Sequence, residues 1–212
     1  MTKPRNIKQP GRLFVFAAPS GAGKTSLVRA LMEEESQLQF SISYTTRTKR
    51  PTEKEGHDYF FVDKGTFDRM AKNGEFLEHA TVFDNSYATS REQVRKATEA
   101  GKDLILEIDW QGARQVRKAM PESVSVFILP PSYAALEQRL RSRGTDSEEV
   151  IQRRLRDAVT DMSHWKDYDY VVVNDDFDES VAALRAIVQG KGGPYRSNRA
   201  GLREITAALS RK

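Results

Sequence analysis

The chain has 212 residues, a formal net charge of +4 from 34 Lys and Arg against 30 Asp and Glu, and no cysteine. This length suits one globular domain with inserted subdomains, and the lack of cysteine excludes disulfides, thiolate metal sites and a catalytic thiol. No apolar run reaches 18 residues and the one at 13–18 is too short for a signal peptide, so we expect a cytoplasmic chain without a membrane partner.

The first half of the chain begins with a buried strand, a glycine-rich turn and a helix, and continues with short strands and long polar loops. Its predicted elements are strands over 12–18, 40–46, 59–62 and 76–83 and helices over 23–35, 64–73 and 90–100. Residues 12–18 are almost all apolar, which is typical of a strand buried on both faces. Short strands and long polar loops such as 47–58 interrupt the alternation of strand and helix, so we interpret this middle stretch as an inserted substrate subdomain.

The second half returns to alternating strands and helices. Its predicted elements are strands over 103–108, 124–129 and 168–173 and helices over 133–142, 146–165, 177–189 and 198–211. Strands that alternate with helices predict crossover connections and a three-layer α/β fold with a parallel core sheet. The segment 190–193 (GKGG) predicts a flexible break, so the tail after it is expected to be separate from the core.

Residues 18–25 (APSGAGKT) match the P-loop pattern between a buried strand and a helix, with Ala18 in place of the first glycine. Gly21 and Gly23 let the backbone curl so that its N–H groups face one phosphate, and the helix N-terminus favours negative charge. Lys24 is placed to reach the β- and γ-phosphates, and the Thr25 hydroxyl is placed to bind Mg²⁺. The predicted ATP-binding residues of this loop are Ala18, Pro19, Ser20, Gly21, Ala22, Gly23, Lys24 and Thr25.

Three further groups suit phosphate or base recognition. In 43–50 (SYTTRTKR), two arginines beside hydroxyls fit a phosphate clamp, although the segment taken alone fits a solvated loop better. Glu107 and Asp109 end a buried strand, where open α/β sheets bind ligands, and suit either Mg²⁺-bound water or a base. Several arginines between 139 and 156 suit a mobile lid over ATP.

Taken together, these segments resemble the guanylate kinase family over about residues 13–189. The resemblance is carried by APSGAGKT, SISYTTRTKRPTEKEGHDYFFV, GEFLEHATVFDNSYATS, LILEIDWQGARQV, LRSRGTD and VVVNDD, in this order along the chain. Three positions depart from the family pattern: Ala18 and Ala88 stand where glycine is usual, and Thr89 stands where serine is common.

The resemblance implies a P-loop NTPase fold and the reaction of ATP with GMP to give ADP and GDP, with Mg²⁺. It implies a core over 11–39, 90–137 and 165–190, a GMP-binding insertion over 40–89, a helical lid over 138–164 and an extension over 191–212. By motif, the GMP-phosphate ligands are Ser43, Arg47, Arg50, Tyr59 and Tyr87. Glu78, Asp109 and Thr89 fall at the guanine site, and Asn174 on the adenine side. The phosphoryl-transfer cations are Lys24, Arg47, Arg139, Arg143 and Arg154.

Two alternatives stay open beside this interpretation: a P-loop kinase for another small phosphorylated acceptor, and a non-catalytic guanylate-kinase-like binding module. Glu78 and Asp109 argue against the first, and Lys24 with Thr25 against the second. No nucleic-acid partner is expected because the basic excess is small and dispersed. The sequence does not separate a monomer from a homo-oligomer. A separate tail predicts that removing 191–212 leaves activity within a few-fold.

Overall fold

A computed structural model describes residues 9–142, 144 and 146–209 of the chain. The strands are β1 (Leu13–Ala17), β2 (Leu38–Phe40), β3 (Tyr44–Thr45), β4 (Phe60–Phe61), β5 (Phe76–Val82), β6 (Asn85–Ser90), β7 (Asp103–Glu107), β8 (Val124–Leu129) and β9 (Tyr170–Val173). The helices are α1 (Lys24–Glu34), α2 (Lys64–Lys72), α3 (Arg91–Glu99), α4 (Trp110–Ala119), α5 (Tyr133–Ser142), α6 (Glu148–Met162), α7 (Phe177–Val188) and α8 (Leu202–Leu209). Short 3₁₀ turns cover Ser163–Asp167 and Gly193–Tyr195.

The strands form two sheets. The first has five strands in the order β2-β7-β1-β8-β9, with parallel pairing of β2 to β7 and of β8 to β9. This order places β9 at one edge of the sheet. The second sheet has four strands in the order β4-β3-β6-β5, and its β5–β6 pair is antiparallel with Glu78 opposite Thr89. The predicted α/β class with a parallel core sheet is confirmed.

The chain divides into two compact units. The first contains residues 1–14, 37–106 and 114–123, and the second contains 15–36, 107–113 and 124–212. In the first unit, the buried side chains of Phe67, Phe76 and Ala88 form a small aromatic core. In the second unit, α1 packs against α7, and the fully buried side chains include Leu27, Leu31, Ile128, Leu129, Leu136 and Leu184. No helix of the described segments has the length and apolar character needed to cross a bilayer.

Most predicted elements are found within a few residues of their predicted bounds, and the differences concern four places. The predicted strand over 40–46 is split between the end of β2 and the two-residue β3. The predicted helix over 146–165 begins later, at Glu148, and its last turn is 3₁₀. Two elements have no counterpart among the predictions, namely β6 and α4.

The tail after residue 190 packs on the edge strand β9. Arg196 forms an antiparallel bridge with Tyr170, and the backbone N–H of Ser197 donates to the carbonyl of Asp169 at 3.0 Å. The Arg199 guanidinium donates to the carbonyl of Val171 at 2.7 Å, and its burial lowers the pKa of Arg199. These contacts satisfy backbone groups that an uncovered edge would expose. The expectation of a separate tail is therefore wrong.

Helix α8 is held to the second unit by two leucines. Leu202 and Leu209 are 1% and 2% exposed, whereas Ile205 on the same helix is 38% exposed. We therefore expect Leu202→Ala to lower the free energy of unfolding by about 2–5 kcal/mol, as for other buried leucines. Denaturant unfolding measures this loss, with Ile205→Ala as the matched control.

The same contacts predict that removing 191–212 lowers stability, while the expectation that activity stays within a few-fold remains a prediction. A chain that ends at Gly190 loses both leucines and uncovers β9, so we expect a lower melting temperature and self-association in light scattering. A truncated chain that melts and sediments as the full chain does would contradict this role of the tail.

Candidate active site

The P-loop lies between β1 and α1 and owes its shape to two glycines. Gly21 and Gly23 have φ of 91° and 93°, in the left-handed region that side chains disfavour. A Cβ on Gly23 would lie 2.4 Å from Nδ2 of Asn174, so this position is also closed sterically. Ala18 is not among the described non-glycine residues with positive φ. The replacement of the first P-loop glycine by alanine is therefore accommodated without backbone strain.

Two side chains at the start of α1 are tied to the end of β7 and the residue after it. The Lys24 ammonium donates to the carbonyl of Ile108 at 3.1 Å, and the Thr25 hydroxyl donates to a carboxylate oxygen of Glu107 at 2.9 Å. The predicted P-loop cation and predicted metal-binding hydroxyl are thus already oriented by the strand end. Glu107 has a concrete role here, since it fixes the hydroxyl of Thr25.

The loop backbone is held from the other side by residues that the sequence assigned to nucleotide contacts. The Ala22 carbonyl accepts from Asn174 Nδ2 at 2.7 Å and from Arg139 Nη1 at 3.3 Å. Arg139 Nη2 also donates to the carbonyl of Asn174 at 2.9 Å. Asn174 is buried, and both side chains therefore shape the P-loop directly. Their predicted contacts with ATP stay predictions.

Of the two remaining predicted lid arginines, Arg154 lies on α6. Arg154 forms an ion pair with Asp146 at 2.9 Å, and both side chains are largely shielded. Arg143 lies outside the described residues. The predicted transfer role of these two arginines is untested.

The donor set around Thr25 fits a hard divalent cation. Within the described part of the chain, no three Asp, Glu or His side chains cluster as a complete metal cage. Mg²⁺ in nucleotide kinases needs no such cage, because phosphate oxygens and water complete a site built on one or two protein oxygens. A hydroxyl held next to a carboxylate satisfies that requirement.

On the acceptor side, Arg47 is held by a carboxylate that the sequence interpretation did not single out. Arg47 Nη2 and Nη1 donate to the two oxygens of Glu53 at 2.6 and 3.1 Å, and the Arg50 backbone N–H donates to Glu53 at 2.8 Å. This bidentate bond raises the pKa of Arg47 and lowers the pKa of Glu53, so the pair is fully charged at neutral pH. The sequence signal that could have identified this partner is a glutamate three residues after Arg50, within the polar loop 47–58.

Three of the predicted phosphate ligands lie together in the first unit. The Arg47 guanidinium lies 5.3 Å from the ring centroid of Tyr59, and the rings of Tyr59 and Tyr87 meet edge-on at 6.1 Å. A side-chain hydrogen bond from Arg47 to Tyr87 contributes to the raised pKa of Arg47. Ser43 lies at the start of the same sheet, where its carbonyl accepts from Phe60, and Arg50 is exposed beside the cluster. The structure therefore brings a cation and two phenols together in the first unit.

Glu78 is a buried carboxylate. It is 3% exposed and accepts a hydrogen bond from the Thr89 hydroxyl at 2.6 Å across the β5–β6 pair. Although Glu78 lies on a strand, its side chain does not face solvent. A buried carboxylate is costly unless polar partners compensate it, so its position is informative about function.

Asp109, the second predicted guanine ligand, caps helix α4. Its two oxygens accept from the backbone N–H of Gly112 and from Gln111 Nε2, each at 2.9 Å. Asp109 belongs to the second compact unit and Glu78 to the first. Their joint recognition of guanine stays a prediction.

Comparison with known proteins shows the family of this chain. The family model described as guanylate kinase matches residues 10–191. The chain belongs to the guanylate kinase family. Among its relatives, the guanylate kinase of Methylococcus capsulatus is 58% identical over 84% of this chain and 88% of the relative. That of Chromohalobacter salexigens is 55% identical over 85% of this chain and 84% of the relative.

A solved structure supports the same membership. The crystal structure of guanylate kinase from Anaplasma phagocytophilum has a TM-score of 0.73 and 36% sequence identity, and covers 93% of this chain and 94% of that one. The matched family segment ends at residue 191, so the contacts of the tail with β9 lie in a part of the chain that the family model does not describe.

Proposed function

We propose that this guanylate kinase family member transfers the γ-phosphoryl group of ATP to the phosphate of GMP, giving ADP and GDP. The observation that carries the proposal is the P-loop, whose Lys24 and Thr25 are oriented by the end of a core strand. Phosphoryl transfer depends mainly on positioning and on cations around the transferred group, and this loop supplies both.

On the donor side, the loop N–H groups and the N-terminus of α1 receive the ATP phosphates. Arg139 and Asn174 keep the loop in shape through the carbonyl of Ala22, so they position the phosphate cradle even before any contact with ATP. Arg143 and Arg154 are assigned to the transfer site by motif. Thr25 would hold Mg²⁺ together with the ATP phosphates, and the ion would supply charge neutralisation during transfer.

On the acceptor side, the GMP phosphate is assigned to Arg47, Arg50, Tyr59, Tyr87 and Ser43. Glu53 presents Arg47 to this site in a fixed orientation, which reduces the entropy lost when the phosphate binds. Guanine is assigned to Glu78, Asp109 and Thr89. We assign the insertion to 40–89, the lid to 138–164 and the cellular location to the cytoplasm, the last because a chain without cysteine needs no oxidising compartment.

Two other functions compete with this proposal. A kinase for a sugar phosphate needs no base-binding carboxylate, and the buried Glu78 bonded to Thr89 argues against it. A non-catalytic binding module needs no P-loop lysine, and the bond from Lys24 to the end of the strand argues against that.

A coupled assay of ADP release with GMP, AMP, UMP and CMP separates these functions. We expect rapid, Mg²⁺-dependent turnover with GMP alone. Turnover with a ribose phosphate and not with GMP would favour the first alternative, and no turnover with any acceptor would favour the second.

The phosphate clamp makes its own prediction. A charge-assisted hydrogen bond is worth about 1.5–3 kcal/mol, so Arg47→Ala and Arg50→Ala are each expected to weaken GMP binding about ten- to a hundredfold. ATP affinity should change far less, and guanosine should be a very poor acceptor. Titration calorimetry with each nucleotide measures the difference, and Arg69→Ala, an exposed arginine on α2, is the matched control. A preferential loss of ATP affinity would move the clamp to the donor side.

A further inference from the structure

Strand β5, which carries Glu78, lies at an edge of the four-stranded sheet and contains a β-bulge. Phe76 lies opposite Ser90 of β6. Glu78, two residues later, lies opposite Thr89, which is only one residue away from Ser90. Leu77 is therefore the extra residue of a bulge. Bulges of this kind change the direction in which the following side chains point, and they are common next to functional sites.

The bulge decides which way Glu78 faces. In a regular strand, residues three positions apart lie on opposite faces. Here the rings of Phe76 and His79 both contact the ring of Phe67, at centroid distances of 4.9 and 6.4 Å. Phe76 and His79 therefore share the face that packs on the aromatic core. The side chain of Glu78 points the other way, where it accepts from Thr89 at 2.6 Å. A strand without the bulge would not combine these two orientations.

The backbone next to Glu78 is held by a side chain of α4. Nε2 of Gln115 donates to the carbonyl of His79 at 2.7 Å, and the His79 backbone N–H donates to Oε1 of Gln115 at 3.2 Å. Both residues belong to the first compact unit. On an edge strand, backbone N–H and C=O groups point away from the sheet, and one primary amide supplies both the acceptor and the donor that they need. Gln115 therefore makes the two hydrogen bonds that a neighbouring strand would make.

We propose that Gln115 is a positioning residue for base selection: its two hydrogen bonds to His79 hold the β5 bulge in register and thereby orient the buried Glu78 carboxylate. This inference rests on the proposed function, which assigns Glu78 to guanine. Because GMP relies on Glu78 and AMP gains nothing from it, a loosened bulge lowers activity with GMP and leaves the slow reaction with AMP nearly unchanged.

The kinetic test uses Gln115→Met, which keeps the size of the side chain and removes both hydrogen bonds. Loss of such a pair is expected to raise KM for GMP about three- to tenfold, with kcat and KM for ATP within about twofold of wild type. The ratio of kcat/KM for GMP to that for AMP should fall by a similar factor. Lys118→Met, at an exposed position of the same helix, is the matched control and should leave these values unchanged.

Two further variants separate positioning from a general loss of structure. Gln115→Glu keeps the length and the acceptor but places an oxygen against the carbonyl of His79, so it should change the GMP values in the same direction. The double variant of Gln115→Met and Glu78→Gln should be about as active with GMP as Glu78→Gln alone, because both changes act through one carboxylate. Equal effects on GMP and ATP, a wild-type KM for GMP in both Gln115 variants, or additive losses in the double variant would each overturn the proposal.

Backbone hydrogen exchange measures the anchor without any activity. The His79 N–H is bonded to Gln115, so its exchange in Gln115→Met is expected to be about five- to tenfold faster than in wild type. The amides of α6, which belongs to the second unit, should keep their rates. Unchanged exchange at His79 would overturn the role of Gln115 as an anchor of β5.

Failure of the proposed function is distinguishable from failure of this inference. If Glu78→Gln leaves the preference for GMP unchanged, the assignment of Glu78 to guanine fails, and faster exchange at His79 in Gln115→Met would still support the anchoring of β5. If Glu78→Gln narrows the preference while Gln115→Met changes neither the preference nor the exchange, the proposed function stands and this inference is overturned.

Discussion

Replacing Lys24 by alanine is expected to lower turnover by about a hundredfold or more. Negative charge moves onto the transferred phosphoryl group and the leaving oxygen in the transition state, and removal of one preorganised donor to such a developing charge costs about 2.7–4 kcal/mol. Lys24 meets the requirement for preorganisation because its ammonium is already held by the carbonyl of Ile108 at 3.1 Å. Steady-state turnover at saturating ATP and GMP measures the effect.

The hydrogen bond from Lys24 to the carbonyl of Ile108 makes it necessary to check that the Lys24→Ala protein is folded. Lys24→Ala also removes a tie between α1 and the end of β7, so its melting temperature has to be compared with that of wild type. Lys64→Ala is the matched control, since Lys64 is an exposed helical lysine paired only locally with Asp68 among the contacts seen. Near-wild-type turnover in a folded Lys24→Ala protein would contradict the catalytic assignment of the P-loop.

The parts of the fold that were predictable from sequence are those with strong local signals. The buried strands β1, β7 and β8 are short apolar runs, and the P-loop between β1 and α1 is marked by its glycines, lysine and threonine. Helices with a capping side chain, such as α3 after Ser90, were predicted within a residue or so. In each case the local preference and the global fold agree.

Two elements were missed because their signals were assigned elsewhere. Asp109 is the N-cap of α4, but it was interpreted only as a strand-end ligand, and Gly112 weakens the helical pattern that follows. In the β5–β6 turn, Phe83 and Asp84 have φ of 47° and 67°. A turn with positive φ usually contains glycine, and because this one does not, nothing in the sequence indicated a hairpin. Tertiary pairing overrides local preference at both places.

In the candidate site too, local sequence signals predicted some features and tertiary contacts fixed the others. Motif spacing placed Lys24 and Thr25 at the start of α1, Arg47 in a loop and Glu78 on a strand, but it did not show which residues orient them. Folding brings a hydrogen-bond partner to each of these groups: Glu53 binds Arg47, Glu107 binds Thr25, and Asn174 binds the Ala22 carbonyl of the P-loop. Side chains that orient other side chains have no spacing rule of their own, and therefore emerge only from coordinates.

The choice of base carries the largest expected effect. Guanine presents N1–H and N2–H₂ donors on one edge, whereas adenine presents an N1 acceptor and no amine at that position. Glu78 is 3% exposed and already bonded by Thr89, so a base that offers it no donor leaves a buried carboxylate poorly paired. Sites built on such groups reject the wrong analogue by roughly 10⁴–10⁵-fold, and we expect kcat/KM for GMP to exceed that for AMP to about this extent.

Glu78→Gln tests the role of this carboxylate. Glutamine keeps one carbonyl oxygen but turns a donor toward the donors of guanine, so we expect the ratio of kcat/KM values for GMP and AMP to narrow, chiefly through loss of GMP activity. The retained oxygen should make the loss partial. Glu75→Gln, an exposed glutamate next to β5, is the matched control and should leave the ratio unchanged. Equal use of GMP and AMP by wild type, or an unchanged ratio in Glu78→Gln, would contradict the assignment of Glu78 to base recognition.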